Sequence, residues 1–362
     1  MIKTINVKLA RRPYPIYIGK DALGSLSRLI KKSGLGVDAV IITTAPIHKI
    51  CGERVKKELK KACRSTLVLT VPDSEKSKNA GLALRLIGRI TRFDVGKDLF
   101  IVALGGGVVG DLSGFIAAIY KRGIPYIQVP TTLLAQIDSS IGGKTAIDTA
   151  FGKNLIGAFY QPRFVLSDVG LLKTLPKDQV RFGLAEAVKY AVIKDGRLFN
   201  YLEKNFKKIL SLHPASVTHL IERCAAIKAD VVARDEFDKK GIRVILNFGH
   251  TFAHGLEAAS GFKLSHGQAV AIGMACACAL SRRFGYLDEK EASRIVSLLK
   301  DIGLPTRIKG MPPAAVWKAM AHDKKFFRGI NRFVLIEKIG KTRIAENIPQ
   351  ETVKKILSET AA

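Results

Sequence analysis

Short apolar, β-branched runs alternate with amphipathic stretches over the first half of the chain, and this alternation constrains the fold most strongly. The runs are DAVIITT at 38–44, STLVLTVP at 65–72, DLFIVALGGG at 98–107 and PYIQVPTT at 125–132. Such strand–helix alternation predicts a mostly parallel sheet flanked by helices. From about residue 177 onward, helical periodicity dominates. We therefore predict an N-terminal α/β domain over residues 1–176 and an all-α C-terminal domain over residues 177–362.

Composition narrows the class of protein further. The chain has 362 residues, of which 47% are hydrophobic, so it can form the cores of two domains. Its longest apolar run, AVAIGMACACAL at 269–280, is too short to span a bilayer. The start alternates apolar and polar residues and lacks the apolar core of a signal peptide. The five cysteines show no CxxC spacing, which favours buried free thiols. We expect a soluble cytoplasmic protein without a membrane partner.

The net charge of +28 raises the possibility of nucleic-acid binding. However, the 59 lysines and arginines are dispersed along the chain rather than gathered into a tail or one stripe. Runs such as KKELKK at 56–61 alternate with apolar residues, as solvated helix faces do. There is also no zinc-finger, KH or RRM signature. We expect no nucleic-acid partner, while a basic surface could attract an anionic substrate.

A glycine-rich loop, ALGGGVVGDLSGF, follows the strongest predicted strand and opens a helix. Gly105, Gly107 and Gly110 have the GxGxxG spacing that lets a backbone approach a pyrophosphate at a helix N-terminus. The loop lies about a hundred residues into the chain, and no acidic residue follows a second strand at the usual distance. The pattern predicts dinucleotide binding in a non-standard arrangement.

Residues 120–162 form the densest polar stretch of the chain. Cations and an amide lie among glycines there, at Arg122, Asp138, Lys144, Lys153 and Asn154. Arginine and lysine beside flexible backbone suit a phosphate or carboxylate ligand. Taken singly, Lys144 or Lys153 could equally be a surface lysine, but the cluster as a whole predicts an anion site.

Carboxylate and imidazole groups in the second half suggest a metal site. Glu186 and Lys189 share one face of an otherwise apolar helix, where a charged pair is costly to bury without partners. His250 and His254 are four residues apart, so both project from one helix face. His266 begins the apolar helix that follows. Catalytic zinc commonly takes three protein ligands, and spacing alone does not choose three among Glu186, His250, His254 and His266.

Seven motifs, in order and at compatible spacing, resemble the 3-dehydroquinate synthase family of sugar phosphate cyclases. They are LGGGVVGDLSGF, YKRGIPYIQVPTTLLAQIDSSIGGKTAID, GKNLIGAFYQP, GLAEAVKY, LNFGHTFAHGLE, SHGQAVAIGM and DKK. The resemblance implies a Rossmann-like NAD-binding α/β domain followed by an all-α metal-binding domain. It also implies conversion of 3-deoxy-D-arabino-heptulosonate 7-phosphate to 3-dehydroquinate and phosphate, in the shikimate pathway. The implied steps are transient oxidation and reduction at C5 with NAD, phosphate elimination and intramolecular aldol closure.

The same resemblance assigns roles to particular residues. It implies Zn²⁺ or Co²⁺ ligands at Glu186, His250 and His266, whereas His254 faces the substrate phosphate. Implied substrate contacts are Asp138, Lys144, Asn154, Lys189, Lys228, Arg243, Asn247 and either Lys324 or Lys325. Arg122 is implied to reach the phosphate site of a neighbouring subunit, which makes a homodimer the expected assembly. Implied NAD contacts are Asp73, Ser74, Glu75, Lys76, Ser77, Lys78, Gly107, Val108, Val109, Gly110, Asp111, Thr131, Thr132, Lys144, Lys153, Leu171, Leu172, Lys173 and Thr174.

One departure and two alternatives stay open. Many members of this family carry Asp or Asn where this chain has Thr44, at the position that meets the adenosine ribose. The preference for NAD over NADP is therefore open. A related cyclase that makes a valiolone or an inosose has the same fold and cofactors, but Arg243 and Asn247 favour the dehydroquinate reaction. A glycerol-1-phosphate dehydrogenase or iron-dependent alcohol dehydrogenase has the same two-domain plan, and the KNLIGAFYQP and DKK motifs argue against it.

Overall fold

The computed structural model describes residues 2–321 and 331–361 of the chain. Contacts divide the chain into two compact units. The first unit comprises Met1–Pro176 together with Pro214–Phe237, and the second comprises Lys177–His213 together with Asp238–Ala362. The predicted domains, residues 1–176 and 177–362, stay a prediction. The contact units also change at residue 176, and they group the segment Pro214–Phe237 with the first unit.

A seven-stranded sheet forms the centre of the first unit. Its strands are β1 (Lys3–Val7), β2 (Tyr14–Gly19), β3 (Asp38–Thr44), β4 (Ser65–Val71), β5 (Leu99–Gly105), β6 (Tyr126–Pro130) and β9 (Val165–Asp168), in the order β1-β2-β9-β6-β5-β3-β4. β1 pairs antiparallel with β2, and the other pairs are parallel. The four runs predicted from the sequence are β3, β4, β5 and β6, of which β4 lies at the edge of the sheet. A separate antiparallel hairpin joins β7 (Lys144–Thr149) and β8 (Gly152–Phe159).

Helices cover both faces of this sheet because alternate residues of each buried strand point to opposite sides. Ile41 and Val102 pack in one core with two helices, α1 (Leu26–Lys32) and α3 (Glu53–Leu59). Ile42 and Ile101 pack in a second core with α4 (Ala80–Phe93) and α5 (Gly107–Ile119). The helices of this unit are α1 (Leu26–Lys32), α2 (Ala45–Ile47), α3 (Glu53–Leu59), α4 (Ala80–Phe93), α5 (Gly107–Ile119) and α8 (Pro214–Arg234). α8 packs on β1, β2 and the helical turn Ala135–Ser139, which explains why it joins the first unit.

The second unit is mainly helical. Its helices are α6 (Lys177–Lys194), α7 (Gly196–Leu210), α9 (His250–Ala259), α10 (His266–Arg283), α11 (Glu289–Ile302), α12 (Pro313–Ala321) and α13 (Gln350–Ala361). A two-stranded hairpin, β10 (Arg332–Lys338) and β11 (Lys341–Glu346), adds strands that the sequence did not predict. The predicted class, an α/β domain followed by a helical domain, is confirmed with this addition. Among the described residues, no helix is long and apolar enough to cross a membrane.

Candidate active site

The glycine loop lies where the order of strands reverses. The chain runs from β3 outward to β4, and then returns to the other side of β3 with β5 and β6. The carboxyl ends of β3 and β5 therefore flank a topological switch point, the usual ligand crevice of an open α/β sheet. Gly106 precedes the first turn of α5, so the free N–H groups of that helix face this crevice. A dinucleotide phosphate would fit there, as the GxGxxG spacing predicts.

Thr44 ends β3 on the other side of the crevice. It is 3% exposed, and its hydroxyl has no hydrogen-bond partner among the described residues. A buried hydroxyl without a partner costs free energy. The Thr44 hydroxyl could therefore form a hydrogen bond with a ligand atom at the edge of the sheet where a dinucleotide ribose would lie.

A buried lysine connects the segment after β4 with the glycine loop and the hairpin. Lys78 is 4% exposed, and its Nζ donates to Asp111 Oδ2 at 2.8 Å and to Asn154 Oδ1 at 2.5 Å. Asn154 has a left-handed φ of 56° and is fixed by a bond from its own N–H to Asp148 Oδ1 at 2.7 Å. Burial raises the pKa of Asp111 to about 6, against the opposing charge of Lys78. Three of the residues predicted from the sequence are thus joined in one polar network.

A second predicted pair forms in the same unit. Lys228, on α8, is 8% exposed and makes an ion pair with Asp138. Its Nζ also donates to the Asp138 carbonyl at 2.9 Å. The predicted residue Lys144 begins β7, is exposed, and lies 5.9 Å from the centre of the Phe159 ring. The family resemblance implied both Asp138 and Lys228 as substrate contacts, and the fold brings these two distant residues together.

Three side chains of the second unit converge on one point. Oε1 of Glu186 lies 3.3 Å from Nε2 of His250 and 3.3 Å from Nε2 of His266. The three candidate ligand atoms all lie within 4.8 Å of one another. Glu186 is fully buried and ion-paired with Lys189, yet neither of its oxygens accepts a hydrogen bond of ordinary geometry from a described residue. Two nitrogens and a carboxylate at this spacing fit a divalent zinc-like ion.

The other ring nitrogen of each histidine faces an acceptor. His250 Nδ1 lies 3.1 Å from the Phe248 carbonyl, and His266 Nδ1 lies 3.3 Å from Glu257 Oε1. Because a carbonyl only accepts, His250 must carry its proton on Nδ1, which leaves the Nε2 lone pair directed at the shared point. The sequence reasoning did not include Glu257. Its spacing, seven residues after His250 on the same helix face, was a signal that could have identified it.

The charges of the three groups are strongly coupled. Burial alone would raise the pKa of Glu186, but the neighbouring Lys189 ammonium holds it well below its ordinary value. Burial, with the Lys189 charge, lowers the pKa of His250 to about 4. Burial alone would lower the pKa of His266, but the nearby Glu186 and Glu257 carboxylates raise it to about 10. A divalent cation at this point would compete with protons for the ligand atoms of the three groups.

Glycines allow the three ligand-bearing helices to approach closely enough. A Cβ on Gly273 of α10 would lie 2.1 Å from the carbonyl oxygen of Gly249, which directly precedes His250. A Cβ on Gly267, directly after His266, would lie 2.4 Å from Cα of Phe182, one turn before Glu186 on α6. Real Cβ atoms do not approach other atoms to such distances. These two contacts set the separation of the helices and therefore the separation of the ligands.

The remaining predicted residues of the second unit lie nearby or outside the described chain. The His254 ring packs edge-on to His250, with centroids 5.8 Å apart, but it is not one of the three converging ligands. Arg243 is 4% exposed, and Asn247 lies four residues later in the same helical turn, Ile242–Asn247. Lys324 and Lys325 lie outside the described residues.

Comparison with known proteins agrees with this geometry. Residues 68–182 match the model of the 3-dehydroquinate synthase N-terminal domain, and residues 183–326 match that of the C-terminal domain. A curated 3-dehydroquinate synthase of Dehalococcoides mccartyi is 43% identical over 358 residues, covering 99% of both chains. The chain belongs to the 3-dehydroquinate synthase family. The family, fold class and enzyme class predicted from the sequence are therefore confirmed.

Solved structures similar to this dehydroquinate synthase family member include other sugar phosphate cyclases. A 2-deoxy-scyllo-inosose synthase in complex with carbaglucose-6-phosphate, NAD⁺ and Co²⁺ is 26% identical, with a TM-score of 0.90 and coverage of 99% of this chain and 100% of that one. A 2-epi-5-epi-valiolone synthase of Streptomyces hygroscopicus with NAD⁺ and Zn²⁺ is 25% identical, with a TM-score of 0.86 and coverage of 96% of each chain. Identity to the curated dehydroquinate synthase is much higher than to either cyclase.

Proposed function

We propose that this enzyme converts 3-deoxy-D-arabino-heptulosonate 7-phosphate to 3-dehydroquinate and phosphate. The main support is that Glu186, His250 and His266 converge in a chain that is 43% identical, over 358 residues, to a curated 3-dehydroquinate synthase. The neighbouring inosose and valiolone synthases bind Co²⁺ or Zn²⁺ together with NAD⁺. We infer the same two cofactors here, with the metal held by those three side chains.

A bound divalent ion would act as a Lewis acid, lowering the pKa of a coordinated alcohol and polarising the ketone formed from it. The chain itself prepares the three ligands. Glu186 is kept ionised by Lys189, and His250 is kept neutral with its lone pair on Nε2. The half-open edge of the site, where the His266 side chain is 38% exposed, gives a substrate oxygen access to the ion.

NAD would bind along the carboxyl ends of the parallel strands in the first unit. The pyrophosphate would contact the N–H groups at the start of α5, from Gly107 to Asp111. The segment after β4 that ends in Lys78 and the Thr131–Thr132 pair after β6 lie at the same edge of the sheet. Lys153 and the helical turn Val169–Thr174 complete the proposed contacts.

The substrate carries a phosphate and a carboxylate, so its site must supply fixed cations. Lys189, Lys228 and Arg243 are cations at buried positions, where they are 2%, 8% and 4% exposed. We propose that these three, with Lys144, Asn154, Asn247 and His254, position the substrate. Holding one reactant in place through successive steps lowers the barrier by positioning rather than by many acid–base groups.

The enzyme is proposed to be a homodimer in which Arg122 serves the partner's phosphate site. Lys121 and Arg122 both have left-handed φ angles, 49° and 64°, which cost about 1–2 kcal/mol each. The turn is held by an ion pair from Lys121 to Asp94 at 2.5 Å, while the Arg122 side chain is exposed. A strained turn that presents an exposed arginine supports a role outside its own subunit.

Mixing two inactive variants tests this role of Arg122. A hybrid of Arg122→Ala with His250→Ala contains one site with both groups intact, so random mixing should restore roughly a quarter of the activity. A mixture that stays inactive, although hybrids form, contradicts the proposal. A mixture of Arg122→Ala with Arg122→Lys is the matched control, because none of its hybrids contains a site with an intact arginine, and it should gain no activity on mixing.

Location in the cytoplasm is also proposed. All five cysteines are free, and four of them are buried. Free thiols persist in a reducing compartment.

One assay separates the proposed reaction from its alternatives. Purified protein is given the heptulosonate phosphate with sub-stoichiometric NAD and Zn²⁺, and released phosphate and NADH are followed together. Phosphate release over many turnovers without accumulating NADH supports the synthase, whereas NADH without phosphate identifies a net oxidoreductase. A hexose 6-phosphate, which lacks the carboxylate, is the control substrate. Faster turnover of this control would favour an inosose-type cyclase and contradict our assignment.

A further inference from the structure

The carboxylate of Glu257 has no role in the chemistry proposed above, although it lies next to a metal ligand. Its Oε1 is 3.3 Å from His266 Nδ1, while Nε2 of the same ring faces Glu186. Glu257 is 7% exposed, on the helix that carries His250. The His266 ring is therefore held between two carboxylates, one on each nitrogen.

The two metal-ligating histidines differ in this outer contact. The Nδ1 of His250 faces a neutral acceptor, the Phe248 carbonyl, at 3.1 Å. The Nδ1 of His266 faces an anionic acceptor. The Glu257 carboxylate accepts a hydrogen bond from the Nδ1–H of this ring, and this favours the tautomer whose Nε2 lone pair faces the metal position. It also increases the electron density of the ring, which strengthens the bond to a cation.

Glu257 also has a structural alternative, because a buried carboxylate can simply cap or brace its own helix. Its backbone carbonyl accepts from Ser260 Oγ at 2.8 Å and from the Phe262 N–H at 2.8 Å, and these bonds end the helix. They use backbone atoms and do not require a carboxylate side chain. The contact with His266, in contrast, is made by the carboxylate of the side chain.

We propose that Glu257 is a positioning residue that orients His266 and raises the affinity of the site for a divalent cation. This rests on the proposed metal site, and not on the identity of the substrate. Outer-shell carboxylates of this kind contribute about 10–100-fold in metal affinity. Because His266 is the most exposed of the three ligands, its orientation depends most on such a contact.

The test measures metal affinity of the full chain without substrate or NAD. Metal-free wild type, Glu257→Gln and Glu257→Ala are titrated with Zn²⁺ against a chromophoric chelator, and with Co²⁺ while its visible absorption is recorded. Glu257→Gln keeps the shape and removes the charge, and we expect it to weaken the Kd about tenfold. Glu257→Ala releases the ring, so we expect a loss of up to about 100-fold and an altered Co²⁺ spectrum.

A buried glutamate of the other unit provides the matched control. Glu58 is 9% exposed and is also held by side-chain partners, Ser27 and Lys61, so Glu58→Gln should leave the Kd and the Co²⁺ spectrum unchanged. Circular dichroism checks that each variant is folded, and the test relies on Glu257→Gln if Glu257→Ala does not fold. If folded Glu257→Gln has the Kd and the Co²⁺ spectrum of the wild type, the proposal for Glu257 is overturned, while the proposed function is not affected. Absence of metal binding by the wild type would instead overturn the proposed function.

Discussion

Replacing Gly273 by alanine should disrupt the metal site from a distance. The new Cβ would lie 2.1 Å from the carbonyl oxygen of Gly249 and 3.1 Å from the Ala253 nitrogen. Real Cβ atoms stay at 3.0 Å or more, so α9 must move away from α10 by close to 1 Å. His250 lies on the first helix and His266 on the second, and therefore the two ligands separate by a similar amount.

The expected effects follow from that displacement. Ligand distances in metal sites tolerate only about 0.2 Å, so a shift several times larger should weaken Zn²⁺ binding by at least about 10–100-fold. Overpacking of a helix contact costs about 1–3 kcal/mol, which lowers the midpoint of thermal unfolding by about 2–12 °C for a unit of this size. Chelator competition measures the first effect, and thermal unfolding followed by circular dichroism measures the second.

Gly88→Ala is the matched control. Gly88 is exposed within α4, and a Cβ there would meet no atom within 4 Å. The change should stabilise the protein by about 0.5–1 kcal/mol and leave the Zn²⁺ affinity unchanged. If Gly273→Ala binds Zn²⁺ and unfolds like the wild type, the close approach of the two helices does not set the ligand geometry.

Three further predictions concern the ligands, pH and the cofactor. His250→Ala should weaken Zn²⁺ binding by about 100-fold or more, because it removes one of about four donors that together contribute roughly 10–16 kcal/mol of binding free energy. His254→Ala should keep the wild-type Kd for Zn²⁺ and lose phosphate release. Loss of the metal from His254→Ala would contradict this division of roles between the two histidines. The Arg64 hydrogen bond lowers the folded-state pKa of Asp38 to about 2, so its stabilisation is present above the unfolded-state pKa and is lost as pH falls toward 2. Asp38→Asn should thus lower the free energy of unfolding, measured with urea at pH 7, by at most about 2 kcal/mol, because Arg64 is largely exposed. The stability difference between wild type and variant should shrink below pH 4. A difference that does not change with pH would argue that the Asp38 charge does not stabilise the fold. Thr44→Asp, at the end of β3, should weaken NADP binding relative to NAD binding, because a carboxylate there repels the 2′-phosphate of NADP. Calorimetric titration measures both dissociation constants. An unchanged ratio of the two would show that the ribose does not bind beside residue 44.

Local patterns predicted much of the α/β unit. The run DAVIITT is β3 itself, because β-branched residues without polar interruption favour a strand buried on both faces. The glycine loop was predicted to follow a strand and open a helix, as it does at β5 and α5. The Glu186–Lys189 pair was also visible, because charges are rare in an apolar helix.

Other features depend on long-range packing that no local pattern encodes. The helical periodicity of α8 gave no sign that it packs on β1 and β2. Spacing could not separate His250 from His254, since both lie on one face, and the choice depends on which ring reaches Glu186. The contribution of Gly273 could not be predicted, because a glycine inside a helix only indicates lower local helix stability. The sequence does not show that two helix backbones meet there.

Deuterium at C5 of the heptulosonate phosphate tests the central claim most directly. Our account requires that the hydrogen removed from C5 stays within the site and returns to the same carbon before product release. Mass spectrometry of the 3-dehydroquinate formed should therefore show full retention of deuterium, and the NAD recovered afterwards should contain none. Loss of deuterium into free NADH would contradict the account, because the enzyme would then catalyse net oxidation rather than an internally balanced cyclisation.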